Sequence, residues 1–373
     1  MARAALFIGL VVGLPSACSG KYLTAAANRA CGVTAEKQAF CWGEDLGDGA
    51  NDLPNGVFGH VSAGREHTCG IGTPFSIKCW GQDGASGKIS KAPTREQLQA
   101  SLRDMSAGPD FTCGIVSDNK RGGLCWGDIP DPPSEIAGIL ATVSSGSKFV
   151  CGSTQGGTTD RRVVCWGDDS KKQVSDAPKG MQFWGKPSAG DEHACVNDLR
   201  QKTVVCWGSD SSGQVSKAPK DKRISSLACG AAHSCGLLED TLTPVCWGSD
   251  SHGQVSNTPV DVPMIEIAAG GNFACGIRND THSVECWGDD SKGQVSGAPR
   301  CQRGWGNGDT PMRDASILCN GAADKEGNAG DKPGKDKGNK DQDRSADLKD
   351  AAVSQPAPLV SLLFLASFVM AKV

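Results

Sequence analysis

Short apolar runs, each bounded by glycine, proline, asparagine or aspartate, recur through the middle of this 373-residue chain. Near the end of that region, four such runs follow one another at Met264–Ala269, Phe273–Ile277, Val284–Trp287 and Gln294–Ser296. Runs of this length between turn-forming residues predict β-strands and leave no room for a helix of ordinary length. The pattern therefore predicts an all-β protein built from units of four short strands.

The unit recurs seven times, and each copy is marked by the tripeptide Cys-Trp-Gly at intervals of 38 to 46 residues. Four-stranded units of about forty residues pack radially into a propeller, which protects their short edges. We therefore predict a seven-bladed β-propeller over residues 21–300, with a solenoid as the alternative. The tripeptides begin at Cys41, Cys79, Cys125, Cys165, Cys206, Cys246 and Cys286.

A second cysteine precedes each tripeptide, with nine to thirteen residues between the two. That separation suits facing positions on the two strands of a hairpin, where β-carbons come within disulfide distance. Zinc ligand pairs favour two to four intervening residues, so the spacing favours disulfides over a metal site. The predicted bridges join Cys31 to Cys41, Cys69 to Cys79, Cys113 to Cys125, Cys151 to Cys165, Cys195 to Cys206, Cys235 to Cys246 and Cys275 to Cys286.

Four of the eighteen cysteines lie outside these pairs. Cys18 belongs to the amino-terminal segment, and Cys301 with Cys319 is predicted to close a loop over residues 301–320. Cys229 then remains as a thiol. It occupies a position that holds alanine in several other copies, which favours a small buried thiol over a reactive or intermolecular cysteine.

The amino-terminal end predicts export. Residues 1–20 contain Arg3, an apolar run from Ala4 to Leu14 and then small residues, which is the pattern of a secretory signal peptide. A faint resemblance of Leu14–Cys18 to a bacterial lipoprotein cleavage box leaves bacterial lipid attachment as an alternative. Paired cysteines fit the oxidising compartment that a signal peptide implies.

The carboxyl-terminal end predicts a lipid anchor. Residues 321–350 mix basic and acidic residues with glycine, which predicts a disordered, charged stalk. Residues 351–373 contain an apolar run, Leu359–Ala371, that is too short to span a bilayer. With the small residues beside Asp350, this run indicates a glycosylphosphatidylinositol (GPI) signal that is removed when Asp350 receives the lipid. A short membrane anchor or an ordinary apolar helix is the alternative.

Charge and motifs argue against several classes of function. A net charge of −4, from 38 basic and 42 acidic residues, argues against a nucleic-acid partner. His67, His193 and His233 occupy a position that holds phenylalanine in other copies, so we predict packing roles for them. Common hydrolase, metalloprotease and phosphate-loop motifs are missing from the sequence, so we predict neither catalysis nor a cofactor.

An aspartate follows the Trp-Gly of most copies. Such a residue is typical of a turn in which the carboxylate accepts backbone N–H groups, with calcium at the blade rims as the alternative. Between two copies, Thr94 and Gln97 form a capping-box pattern that predicts a short helix.

The string Gly230–Gly236, followed by Cys246–Asp250 and Gly253–Val255, resembles the regulator of chromosome condensation repeat. The form with paired cysteines is similar to the ectodomains of plant crinkly-type receptor kinases. The resemblance covers roughly residues 21–300 and implies a seven-bladed propeller whose known members mostly bind proteins.

We therefore predict a monomeric, GPI-anchored protein on the extracellular face of the plasma membrane that binds a protein or another macromolecule. A propeller that binds or acts on extracellular glycans is the alternative, as is a secreted hydrolase inhibitor. Specificity should lie in segments that differ between copies, above all the loops between paired cysteines.

These loops carry a basic arc that would steer an acidic partner, with scattered solvated charges as the alternative. The arc consists of Lys120, Arg121, Arg161, Arg162, Arg200 and Lys202. On another of these loops, Asn279 begins the sequon Asn-Asp-Thr, which predicts glycosylation of a solvent-facing loop.

Overall fold

The computed structural model describes residues 23–34, 37–44, 56–72, 76–118, 122–156, 161–201 and 203–299. In these ranges lie 21 strands, which form seven antiparallel sheets of three consecutive strands each. Each sheet is one blade and corresponds to one copy of the repeat, so the prediction of an all-β, seven-bladed propeller is confirmed. Over the same ranges, neither short helix has the length or hydrophobicity to cross a membrane.

The strands of each blade run outward from the axis in chain order. Blade 1 contains β1 (Leu23–Ala26), β2 (Arg29–Val33) and β3 (Ala39–Gly43); blade 2, β4 (Phe58–Ala63), β5 (His67–Gly72) and β6 (Ser76–Gly81); blade 3, β7 (Leu102–Ala107), β8 (Phe111–Val116) and β9 (Gly123–Gly127); blade 4, β10 (Leu140–Ser145), β11 (Phe149–Thr154) and β12 (Val163–Gly167); blade 5, β13 (Phe183–Ala189), β14 (His193–Asp198) and β15 (Val204–Gly208); blade 6, β16 (Ile224–Cys229), β17 (His233–Leu238) and β18 (Pro244–Gly248); blade 7, β19 (Met264–Ala269), β20 (Phe273–Arg278) and β21 (Val284–Gly288). Two short helices, α1 (Arg95–Leu98) and α2 (Ser134–Ala137), lie between blades.

A disulfide joins the second strand of every blade to the third. In blade 6, for example, Cys235 of β17 faces Cys246 of β18 in register and is bonded to it. Across the seven bridges the Cα atoms are 4.0 to 4.1 Å apart. The expectation that each blade carries its own disulfide is confirmed, whereas Cys301 and Cys319 lie outside the described residues.

The glycine of Cys-Trp-Gly is required by the backbone at the end of each third strand. Gly248 has a φ of +105°, and the same glycine in all seven blades has a φ between +98° and +110°. A β-carbon on Gly248 would come within 2.7 Å of the carbonyl oxygen of Ala232. Any other residue would therefore be strained here and would also collide with the turn of its own blade.

The hydrophobic core of the described residues consists of seven clusters, each of which takes side chains from two consecutive blades. Between blades 4 and 5, Phe149 packs with Phe183 and Trp207. Between blades 7 and 1, Phe273 packs with Leu23 in the same way. Because every cluster is shared, a single blade does not bury its apolar surface alone.

Within the described residues the blades have three strands rather than the predicted four, because the segment after the Trp-Gly of blades 2 and 4 to 7 folds into turns. We call this segment the connector. In the connector after blade 7, the Oδ1 atom of Asp290 accepts hydrogen bonds from the N–H groups of Val295 at 2.9 Å and Ser296 at 2.8 Å. These bonds fold Gln294–Ser296 back on Asp290, so the segment does not pair with β21. The same turn forms around Asp83, Asp169, Asp210 and Asp250.

The connector links each blade to the next. The indole N–H of Trp287 in blade 7 donates to the carbonyl oxygen of Gln254, in the connector after blade 6, at 3.2 Å. Trp42 in blade 1 donates to the carbonyl oxygen of Gln294, in the connector after blade 7, at 3.0 Å. The same contact that joins blade 6 to blade 7 therefore closes the ring between blades 7 and 1. Equivalent bonds are made by Trp126, Trp166, Trp207 and Trp247.

Two further contacts close the ring between blades 7 and 1. The N–H of Gly271 donates to the carbonyl oxygen of Ala27 at 2.7 Å. Lys292 forms an ion pair with Glu44, with its Nζ atom 3.2 Å from the carboxylate.

The connectors after blades 2 and 3 are irregular, but each still accepts the hydrogen bond from the tryptophan of the next blade. The predicted capping box before α1 is present: Thr94 Oγ1 accepts from the N–H of Gln97, and Gln97 Oε1 accepts from the N–H of Thr94. In the connector after blade 3, where prolines displace the usual sequence, the carbonyl oxygen of Pro130 accepts from Trp166 at 3.2 Å.

We expect Asp290→Ala to lower the free energy of unfolding by about 1 kcal/mol, because two backbone N–H groups lose their charged acceptor in a solvent-exposed turn. Asp290→Asn, which keeps one acceptor oxygen, is the matched control and should lose less. Urea denaturation at pH 7 measures both, and equal losses would contradict the role of the carboxylate.

The loss of stability in Asp290→Ala should depend on pH. The N–H groups of Ser296 and Val295 hold the pKa of Asp290 below its ordinary value of 3.8. The stabilisation by Asp290 is therefore complete above that ordinary value and is lost as the pH falls through the lowered pKa. The stability difference between the wild type and Asp290→Ala should shrink at pH 2 to 3, and a difference that does not depend on pH would contradict this explanation.

Candidate functional site

The two ends of the blades form two different faces of the propeller. In blade 4 a turn between Ser145 and Phe149 joins the first two strands, and a hairpin between Thr154 and Val163 joins the last two at the opposite end. We call the end with the short turns the turn face and the end with the hairpins the hairpin face. Because all seven sheets have the same strand order, the hairpins emerge together.

Arg161, a member of the predicted basic arc, is bound within the protein. Its Nη2 atom donates to Ser153 Oγ at 3.1 Å and to the carbonyl oxygen of Gly185 at 3.2 Å. Its guanidinium also lies 5.4 Å from the centre of the Phe183 ring. Arg161 therefore links blade 4 to blade 5 and has little left to offer a partner.

Two other members of the arc are exposed on the hairpin face, Arg162 in blade 4 and Arg200 in blade 5. Arg200 donates from Nε to the side chain of Gln182 at 3.2 Å, which keeps its guanidinium at the surface. The remaining members, Lys120, Arg121 and Lys202, lie outside the described residues.

The innermost strand of blade 5, Phe183–Ala189, has seven residues where β16 of blade 6 has six. Its register with β14 shifts between Trp184 and Ser188, and Gly185 in the bulge has a φ of +77°. Bulges commonly redirect side chains. Here the indole of Trp184 is left 37 % exposed, and Lys186 reaches Asp104 of blade 3, with Nζ 3.1 Å from the carboxylate.

Trp184 borders a groove of about 260 Å³ between blades 5 and 6, which we call the blade 5/6 groove. Leu199, Ile224 and an exposed ion pair complete its lining. The pair joins Arg223 to Glu239 at 3.8 Å, and both side chains are more than half exposed. Such an exposed pair contributes at most about 1 kcal/mol to the free energy of unfolding, so both side chains remain available to a partner.

Sequence reasoning identified Arg162 and Arg200 but did not identify the blade 5/6 groove. Trp184 lies outside the repeat, and the extra residue in its strand was the signal that could have drawn attention to it. Arg223 and Glu239 gave no signal in the sequence; they are adjacent because β16 and β17 of blade 6 pair beside them, and the N–H of Glu239 donates to the carbonyl oxygen of Arg223 at 3.0 Å.

The first strands surround a central channel with a volume of about 700 Å³. Its wall is made of small residues, and serine hydroxyls there accept hydrogen bonds from the next blade, as Ser188 Oγ does from the N–H of Cys229 at 3.1 Å. Burial raises the pKa of Asp104, yet Lys186, His60 and the N–H of Val143 together hold it below its ordinary value. The Asp104 carboxylate is therefore ionised at neutral pH.

The three repeat histidines are completely buried. Burial lowers the pKa of His67 to about 4, that of His193 to about 3 and that of His233 to about 4. All three are therefore neutral at physiological pH and pack as phenylalanine does in blades 3, 4 and 7.

Among the described residues, one group has the composition of a metal site: His193, Cys195 and Cys229. Cys195 is bonded to Cys206, so it offers no thiolate to an ion. The paired aspartates at the blade rims are engaged in their connectors, where Asp168 accepts from Ser170 and Gln173. This geometry gives no support to the calcium alternative.

No protein-family model matches the chain. Among solved structures, it is similar to the entire ectodomain of the Physcomitrella patens receptor kinase CR4, with 26% identity and a TM-score of 0.59 over 71% of this chain and 72% of that one. It is also similar to the CRINKLY WD40 ectodomain of the Arabidopsis thaliana receptor kinase ACR4, with 23% identity and a TM-score of 0.61 over 74% of this chain and 97% of that one.

A third similar structure is Prp20p from Saccharomyces cerevisiae, with 15% identity and a TM-score of 0.54 over 73% of this chain and 83% of that one. The fold is therefore a propeller of the regulator of chromosome condensation type, similar to the crinkly ectodomains, as the repeat predicted.

We expect Arg161→Ala to lower the free energy of unfolding by about 1 to 2 kcal/mol, because it removes a hydrogen bond within blade 4 and both a hydrogen bond and a cation–π contact to blade 5. Arg162→Ala, one residue away and exposed, is the matched control and should change the stability by less than about 0.5 kcal/mol. Urea denaturation of the two variants makes the comparison. Similar losses of unfolding free energy in the two variants would contradict the conclusion that Arg161 is structural and Arg162 is not.

Proposed function

We propose that this protein is an extracellular, membrane-anchored propeller that binds a protein partner through the hairpin face of blades 4 to 6. The observation that carries the proposal is the exposed indole of Trp184 beside the blade 5/6 groove. Tryptophan and arginine contribute most to protein interfaces, and Arg223 lines the same groove.

The charge of this region favours an acidic partner. Arg162 and Arg200 are exposed on the hairpins of blades 4 and 5, whereas Arg161 between them is engaged internally. Exposed charges at the rim of an interface mainly accelerate association, since they act before the surfaces touch. In this proposal the indole and the groove supply affinity, and the two arginines supply the rate of encounter.

The similar structures support a role in recognition. Two of them are receptor kinase ectodomains, and the third is described by its binding to Gsp1p and histones. The in-blade disulfides suit an extracellular site of action. Within this proposal, residues 1–20 are the export signal, and a flexible stalk over residues 321–350 holds the propeller away from the membrane.

We expect the double variant Arg162→Glu/Arg200→Glu to recover much less of its partner, because reversing the charge of the hairpin face slows the encounter that the two arginines accelerate. Arg65→Glu/Lys148→Glu is the matched control, since both residues are exposed on the turn face and the change in net charge is the same. Proximity labelling on intact cells with each variant identifies the neighbours. Melting temperatures should agree with that of the wild type within about 2 °C, as for surface changes.

Labelled partners that are retained by the turn-face variant and lost by the hairpin-face variant support the proposal. Equal recovery with both variants would contradict it. Recovery that instead depends on cell-surface glycans, and is abolished by removing them, would favour the alternative glycan-binding function. Trp184 gives that alternative its one structural support, because sugars stack on exposed indoles.

We expect a phosphatidylinositol-specific phospholipase to release the protein from intact cells, because lipid attached at Asp350 would be its only hold on the membrane. An Asp350→Pro variant, which disrupts the small-residue attachment site, should be retained inside the cell or secreted without lipid. Membrane retention after lipase treatment, with residues 351–373 still detected by mass spectrometry, would contradict GPI anchoring.

A further inference from the structure

Cys229 lies close to a disulfide of the neighbouring blade. It belongs to β16 of blade 6, takes no part in the seven disulfides and is buried at 7 % exposure. Its Sγ atom is within 4.8 Å of Sγ of Cys195, which is bonded to Cys206 in blade 5. A side-chain rotation that shortened the distance between the two sulfurs by less than about 3 Å would bring them to bonding distance.

A thiol in this position is peculiar to this boundary. The residue before the turn glycine is alanine or serine in the other six-residue innermost strands, at Ala63, Ala107, Ser145 and Ala269, and in blade 5 at Ala189. Packing alone is therefore satisfied by a smaller side chain, and the sulfur of Cys229 is not required by the fold.

The boundary between blades 2 and 3 has the same geometry without the thiol. There Thr112 Oγ1 lies 2.8 Å from His67 Nε2 and 3.7 Å from Cys69 Sγ. Between blades 5 and 6, Ser234 Oγ lies 2.8 Å from His193 Nε2 and 3.7 Å from Cys195 Sγ. The protein thus contains its own control, in which alanine stands at the position of the thiol.

The hydroxyl of Ser234 also contacts the thiol. Its Oγ atom lies 3.5 Å from Cys229 Sγ, so one O–H group reaches both sulfurs. Thiolates attack disulfides through a charged transition state, which a hydroxyl donor in contact with both sulfurs stabilises. Cys229 also lines the central channel, which gives small molecules and hydroxide a path to it.

We propose that Cys229, Cys195 and Cys206 form a thiol–disulfide exchange site. The Cys229 thiolate attacks Cys195 Sγ, a Cys195–Cys229 bond forms and the Cys195–Cys206 bond breaks. Cys206 leaves as a thiolate and takes up the proton that Cys229 gave up. The number of disulfides is unchanged, so the step needs neither oxidant nor reductant.

The exchange moves both the cross-link and the reactive thiol. A bridge within blade 5 becomes a bridge between blades 5 and 6, which are otherwise joined without a covalent bond between their strands. The thiol moves from the channel wall to the third strand of blade 5, where Cys206 is half-buried and at the outer edge of the sheet. The site therefore presents a thiol for modification by a small disulfide such as oxidised glutathione.

Alkylation of the native protein tests the exchange. The wild type is incubated with N-ethylmaleimide at pH 8 without denaturant, digested without reduction and analysed by mass spectrometry. We expect maleimide on the Cys206 peptide together with a Cys195–Cys229 linked peptide. Cys229→Ala should abolish both products and keep the Cys195–Cys206 bridge.

Two further variants test whether the geometry permits the new bridge. In Cys206→Ser, folded in a glutathione redox buffer, we expect a Cys195–Cys229 disulfide. In the matched control Cys79→Ser, Ala107 stands at the position that corresponds to Cys229, so Cys69 should remain open to alkylation. Maleimide confined to Cys229 in the wild type would overturn the proposal, and so would alkylation of both Cys195 and Cys229 in folded Cys206→Ser. The wild-type experiment remains decisive if Cys206→Ser fails to fold.

Discussion

The hydrogen bond from the repeat tryptophan to the connector of the preceding blade, which six of the seven tryptophans make in the described residues, is the contact on which the ring depends. It requires a carbonyl oxygen at a fixed place beside the indole, which most connectors provide because their aspartate folds them into turns, as Asp250 does for Gln254. The tryptophan in turn lies at the end of its strand because the next residue is a glycine at positive φ, as in Trp287-Gly288. Tryptophan, glycine, aspartate and glutamine recur together because they serve one junction.

The disulfides stabilise each blade internally, whereas this junction connects neighbouring blades. Each disulfide closes a loop of about 10 to 15 residues within a hairpin. In the chain-entropy model, such a loop raises the free energy of unfolding by roughly 3 kcal/mol. They hold the second strand to the third, whereas the boundaries between blades depend on shared apolar clusters and single hydrogen bonds. In a chain with only 5% aromatic residues, covalent stability within blades compensates for thin clusters between them. The thiol of Cys229 lies at a boundary, where a covalent bond would add what the other bridges do not supply.

Periodicity made the propeller, the seven in-blade bridges and the aspartate turns predictable, because each is a local arrangement repeated in sequence. The fourth strand was predicted wrongly, since Gln294–Ser296 has strand-like composition and only the contacts of Asp290 Oδ1 reveal a turn. The basic arc was predicted from charge, but sequence could not separate Arg161 from Arg162. That separation depends on Gly185 and Phe183, which reach Arg161 only across a blade boundary.

Blade 5 departs from the repeat in the region where we propose that the partner binds. An ideal ring would present seven similar surfaces, and a partner that reads one of them needs a feature that breaks the symmetry. In blade 5 one additional residue produces a bulge with two consequences, since it exposes Trp184 at the surface and sends Lys186 across the channel to Asp104. The ion pair anchors the bulge from within, so the indole projects from a fixed base. A rigid aromatic anchor loses little conformational entropy on binding. We therefore interpret the bulge of blade 5 as a feature that serves the proposed recognition and not as a defect of the repeat.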